Sequence, residues 1–356
     1  MRLGLNLGYW GAGNDADNLA LAREADKLGY SVVWAAEAYG SDVPTVLAWV
    51  AAQTERIDVG AAVMQIPART PAMTAMTAAT LDTLSGGRFR LGLGVSGPQV
   101  SEGWHGVRFG KPLGRTREYV DIVRMALRRE RVSYAGEHFT LPLPDGAGKP
   151  IKLTVHPVRG EIPVYLAAVG PKNLELTGEI ADGWLAIFYA PEHAELSLAP
   201  IRAGRERAGK GSGTDVMAGF DVVPTVPVVF DDDVDAAAMP VRGYAALYIG
   251  GMGSREQNFY NALARRMGFD AEAERVQDLY LQKQYGEAAT AVPRDFIDRT
   301  ALIGSFERVR DRMQAYADAG VTTLTVSPFA ASLDGRIETL RRTAEAVEAA
   351  GLATAG

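Results

Sequence analysis

Short apolar runs alternate along the chain with longer stretches whose apolar residues recur at helical spacing. The runs are Leu3–Leu7, Ser31–Ala35, Ile57–Val63, Phe89–Leu93, Val164–Ala168, Trp184–Phe188, Val216–Val223 and Thr323–Ser327. Most are continuously apolar rather than alternating. A strand apolar on both faces is one buried on both faces, as in a parallel sheet sandwiched by helices. Leu19, Ala22, Ala25 and Leu28 form one helical stripe, and Gly29 supplies its C-cap. Ser305 is placed to cap a helix carrying Val309, Met313 and Tyr316, which Gly320 ends. Ser332 opens the last helix, with Leu333, Ile337, Leu340, Ala344 and Val347 on one face.

Eight strand–helix units in succession predict an α/β fold, a (β/α)8 TIM barrel; a doubly wound open sheet is the alternative. The barrel is expected to span residues 1–350 as one domain, with 351–356 a frayed tail. Three stretches break the rhythm, near 97–110, 131–162 and 231–296. The second reads as a β-hairpin turning at Tyr134–Phe139 and the third as mostly helical.

At 356 residues with 47% hydrophobic and 22% charged, the chain can bury a large core. Its formal net charge of −6 argues against nucleic-acid partners and anionic membranes, which need a basic face. Arg128-Arg129 and Arg341-Arg342 read as solvated helix faces. No run reaches the ~18 apolar residues of a membrane span. Zero cysteines exclude disulfides, iron–sulfur clusters and thiol nucleophiles, and fit a cytoplasmic enzyme. His105, His138, His156 and His193 show no i+3 or i+4 pairing, so no metal site is expected. Gly94-Val95-Ser96-Gly97-Pro98 lacks the last glycine of a nucleophile elbow.

Barrels of this kind carry their chemistry at the C-terminal ends of the strands. The strand exits hold Tyr9 and Trp10, then Glu37 and Tyr39, then Gln65 and Arg69, then Ser96, Gly97, Ser101 and, further on, His105. Aromatics mixed with uncharged polar groups suit a large planar ligand. Glu37 reads either as a functional carboxylate or as the ion-pair partner of an arginine such as Arg69. Tyr39 and His105 are candidate proton donors. Val169-Gly170-Pro171-Lys172-Asn173 puts a glycine and a proline at a helix start, which reads as an anion site or as a simple loop former. Gly92-x-Gly94-x-x-Gly97 is a poor dinucleotide fingerprint, because no clear helix starts before about Arg115; its glycines are expected to let backbone approach a flat ring.

Taken together, Val33-Trp34-Ala35-Ala36-Glu37-Ala38-Tyr39, Asp82-Thr83-Leu84-Ser85-Gly86-Gly87-Arg88-Phe89, Gly114-Arg115-Thr116-Arg117-Glu118-Tyr119 and Ala181-Asp182-Gly183-Trp184 occur in an order and spacing that is diagnostic. The chain resembles the luciferase-like monooxygenase superfamily, in its F420-dependent branch. That resemblance implies a deazaflavin in the barrel mouth, with its phosphate at Val169, Gly170, Lys172 and Asn173. It also implies a non-proline cis peptide at Ala62-Val63, and ring contacts from Glu37, Gln65, Ser96, Gly97 and Ser101. Where the branch acting on glucose 6-phosphate has a histidine and a glutamate, this chain has Ala38 and Pro98. The resemblance therefore implies hydride transfer between coenzyme F420 and another small organic substrate; a cytoplasmic location is expected from composition, and a homodimer is the default assembly. An FMN-dependent monooxygenase and a non-catalytic F420-binding barrel are the alternatives.

Overall fold

The computed structural model describes residues 1–10 and 15–352. Eight parallel strands form its centre: β1 (Arg2–Gly8), β2 (Val32–Ala35), β3 (Asp58–Ala61), β4 (Phe89–Gly94), β5 (Val164–Ala167), β6 (Gly183–Ile187), β7 (Asp221–Phe230) and β8 (Thr323–Pro328). Each pairs with the next, and β8 returns to β1 in a register running from Arg2↔Thr323 to Leu5↔Val326. That closure makes the sheet a barrel and removes the open-sheet alternative. The lumen is filled by Trp34 and Tyr165, edge to face with centroids 5.3 Å apart, beside Val32 and Val223. Gly60 and Gly183 are the reason these rings fit. A Cβ at either would stand 2.4 Å from the Trp34 or Tyr165 ring.

The helices form where the polar–apolar pattern and the caps place them. Gly29 and Gly320 adopt positive φ after the helices Asp15–Lys27 and Phe306–Asp318. The Ser305 and Ser332 hydroxyls accept from the Arg308 and Gly335 amides, satisfying first-turn donors.

Three expectations need correcting. The seventh strand runs over Asp221–Phe230, not Val216–Val223. Residues 216–220 form a turn in which the Met217 amide donates to the Asp215 carboxylate. Pro224 and Pro227 disguise the true strand, since proline reads as a strand breaker. Leu302–Gly304 adds a short further strand alongside the end of β7. A helix, Pro98–Gly103, starts directly after Gly97, well before Arg115.

The 131–162 stretch holds a small hairpin, Tyr134–Ala135 against Thr140–Leu141. Beyond β7 come the helices Val234–Ala246, Phe259–Arg266, Asp270–Leu281, Tyr285–Ala291 and Arg294–Thr300. They share a second apolar core with Phe188 and Ile303 of the barrel. Residues 353–356 of the expected tail lie outside the described residues. Among the described residues no helix is long and apolar enough to cross a membrane. Nor does any group of three His, Cys, Asp or Glu residues among them form a potential metal site.

Candidate active site

β3 ends at Ala61, the Ala62-Val63 peptide is cis, and pairing resumes with Met64 and Gln65 against Leu93 and Gly94 of β4. Opposite this bulge stand the two glycines of β4. A Cβ on Gly92 would lie 1.8 Å from the Ala61 carbonyl oxygen, and one on Gly94 would lie 2.5 Å from Val63 Cγ2. These glycines make room for the neighbouring strand, which corrects the expectation that they open the backbone to a ring.

A chain of hydrogen bonds starts at the bulge. The Gln65 amide donates to Glu37 Oε1 (2.9 Å), and its side-chain Nε2 donates to the Ala38 carbonyl (2.6 Å). Ser96, held in the left-handed region at φ 60°, donates from Oγ to Gln65 Oε1 (3.0 Å). Glu37, Gln65 and Ser96, predicted separately, are thus one network. Glu37 is nearly fully buried, and its remaining capacity is taken by a two-pronged ion pair with Arg69 and by the Val43 amide (3.1 Å). Arg69 also pairs with Asp42. The geometry therefore matches the ion-pairing reading of Glu37.

The other candidates scatter. Tyr39 is largely exposed. Ser101 is buried and donates to the Val107 carbonyl (2.6 Å), so its hydroxyl holds a loop. His105 sits on that loop with Nε2 buried and unpartnered. Gly97 is the N-cap of Pro98–Gly103. At the exit of β5, Gly170 is the N-cap of Pro171–Ile180, with no side chain capping the helix. Its φ of −80° suits any residue, and the space where a Cβ would point is open. Lys172 is exposed beside it, while Val169 and Asn173 are half-buried. An uncapped first turn facing open space fits an anion.

Comparison with known proteins adds the decisive observation. The family model described as luciferase-like monooxygenase matches residues 8–323. The chain belongs to the luciferase-like monooxygenase family. A Mycobacterium tuberculosis protein, provisionally named a coenzyme F420-dependent oxidoreductase, is 45% identical over 92% of this chain and 95% of its own. The 5,10-methylenetetrahydromethanopterin reductase of Archaeoglobus fulgidus is 31% identical, covering 84% of this chain and 85% of its own. The solved F420-dependent tetrahydromethanopterin reductase of Methanopyrus kandleri superposes with a TM-score of 0.80 at 25% identity, over 95% of this chain and 96% of that one.

Of the other half of this luciferase-like mouth, sequence reasoning found only Tyr9, which follows β1. It missed Phe188 after β6, Phe329 after β8, and Tyr244, Tyr248 and Tyr260, which reach in from the helical insertion. The i, i+4 spacing of Tyr244 and Tyr248 was the available signal. Arg266, also from the insertion, donates to the Val169 carbonyl (3.0 Å) next to the Gly170 helix start.

Proposed function

We propose that this chain is an F420-dependent oxidoreductase that moves a hydride between the deazaflavin and a small organic substrate. The observation that carries the reading is the 45% identity across nearly both whole chains, on a barrel whose mouth has the parts such a cofactor needs. Bound there, the deazaflavin supplies two-electron hydride chemistry, and the protein supplies orientation and shielding. We assign the phosphate to the uncapped first turn at Gly170, Lys172 and Asn173, with Val169 and Arg266 at its edge. The ring we assign to the bulge at Ala62 and Val63, flanked by Gln65, Ser96 and Gly97. Ser101 contributes by shaping the loop after Gly97. Glu37 holds the Gln65 backbone in place, so its part in catalysis is to position the ring's seat. Tyr39 and His105 stay candidates for proton handling at the rim. We read residues 1–350 as one barrel domain with three insertions, working as a homodimer in the cytoplasm. Two-fold dimers are the commonest closed assemblies of soluble chains, and a chain without cysteine suits a reducing compartment.

Two measurements test the reading. Titrated by fluorescence quenching, F420 is expected to bind the chain more tightly than FMN. FMN binding at micromolar strength with no F420 binding would instead favour an FMN monooxygenase. Gly170→Leu is expected to fold normally, since neither φ nor a neighbour resists the side chain. It should weaken F420 binding by about tenfold or more, roughly 1.4 kcal/mol. Unchanged affinity in the folded variant removes the phosphate from this site.

A further inference from the structure

The half of the mouth across from the Glu37–Gln65–Ser96 network is walled by aromatic rings. Phe188 packs against Tyr244 and Tyr248 with centroids 5.8 Å away in each case, and against Tyr260 at 6.4 Å. Tyr248 lies 4.9 Å from both Tyr244 and Tyr260, and Phe329 closes the side at 5.7 Å from Tyr244. The three tyrosines are only partly covered, and Tyr9 on the rim is 44% exposed, so the rings face an opening rather than a sealed core.

The wall is held by an unusual turn. Leu247–Gly251 is π-helical, a form that is rare and frequent at functional sites. Two buried amides fix it: Asn258 Nδ2 donates to the Tyr248 and Ile249 carbonyls (3.0 Å each), and Asn261 Nδ2 donates to the Ile249 carbonyl (3.1 Å). The result sets the Tyr248 ring between Tyr244 and Tyr260.

The wall is also electrically neutral. Among the described residues, the titratable groups that act most on Tyr9, Tyr244 and Tyr260 are other tyrosines. Burial pushes the Tyr260 phenol up to about 12 and those of Tyr244 and Tyr248 higher still, so all three keep their protons. An anionic substrate would meet no counter-charge here, and desolvating it would go uncompensated. A flat neutral molecule would gain ring contacts and a phenol donor.

We infer that this aromatic box is the substrate site and selects a flat, uncharged, largely apolar molecule with a carbonyl or imine acceptor, to which the Tyr248 hydroxyl donates a hydrogen bond. The inference rests on the F420 reading for what happens to that substrate, and on the box alone for what it is. The proton held at the Tyr248 oxygen faces the atom where negative charge would gather on reduction.

The test is calorimetric titration of the full chain, with and without oxidised F420, using menadione and 1,4-naphthoquinone-2-sulfonate as probes. With no cysteine in the chain, neither quinone can be trapped by a thiol. Menadione is expected to bind saturably and at least about tenfold more tightly than the sulfonate. Tyr248→Phe, which keeps the ring, should weaken menadione about three- to tenfold. Tyr9→Arg, on the exposed rim, should shift the preference towards the sulfonate. Unsaturable menadione binding, equal or tighter sulfonate binding, or an unchanged affinity in Tyr248→Phe each overturns the proposal. F420 affinity measured on the same samples separates the two readings: F420 bound without menadione sinks the box alone, and menadione bound without F420 sinks the cofactor reading alone.

Discussion

Glu37→Gln is expected to lower both stability and cofactor affinity. Glutamine keeps one acceptor oxygen where the carboxylate serves the Gln65 and Val43 amides and both prongs of Arg69. Removing one partner of a buried ion pair costs about 3–5 kcal/mol. Asp42 still holds Arg69, so the loss here should be nearer 2–3 kcal/mol, a fall in Tm of roughly 4–10 °C. The Gln65 amide loses a charge-assisted bond in the same step, which loosens the contact to Ser96 and the seat of the ring. Thermal denaturation and an F420 titration check both effects. If Tm stays within about 1 °C while turnover alone collapses, the carboxylate handles protons and its positioning role is wrong.

Gly92→Ala should be more damaging, although it adds a single methyl. The new Cβ would sit 1.8 Å from the Ala61 carbonyl oxygen and 2.9 Å from Leu185 Cδ1. The first obstacle is backbone, and Ala61 is fixed by pairing with Ala35 of β2. Overpacking a core usually costs about 1–3 kcal/mol. A clash with paired backbone belongs at or beyond the top of that range. Gly170→Ala is the control, since its Cβ meets nothing within 4 Å. Circular-dichroism melts of the two should diverge sharply, with Gly92→Ala unfolding early or failing to accumulate and Gly170→Ala matching wild type. A Gly92→Ala protein as stable as wild type would mean that β3 does not bulge towards β4 as described.

The sequence made the barrel legible where its physics is local. Continuous apolar runs marked seven of the eight strands to within a few residues, and Ser305, Ser332, Gly29 and Gly320 marked helix ends through their own side chains or φ values. The seventh strand was hidden because Pro224 and Pro227 are tolerated by a tertiary setting that no local rule reads. The half of the mouth proposed to hold the cofactor was also largely legible, since Glu37, Gln65 and Ser96 follow strand exits. Their linkage was not, nor was the role of Gly92, which depends on where β3 swells. The aromatic half was legible only at Tyr9: Tyr244, Tyr248 and Tyr260 lie about 55 to 85 residues from Phe188, just after β6, and from Phe329, just after β8. Only the folded insertion brings them to Tyr9.

That insertion has its own apolar core, joined to the barrel at Phe188 and Ile303. The proposed substrate wall and the proposed coenzyme seat therefore lie largely on separable stretches of the chain. Under those assignments, drift in the segment from Val234 to Thr300 would remodel what is reduced or oxidised while the exits of β2 to β5 kept the coenzyme. Descendants of such a barrel should diversify their chemistry by exchanging one cassette, and chimeras that swap it between relatives should carry the substrate preference with them and leave the coenzyme preference behind.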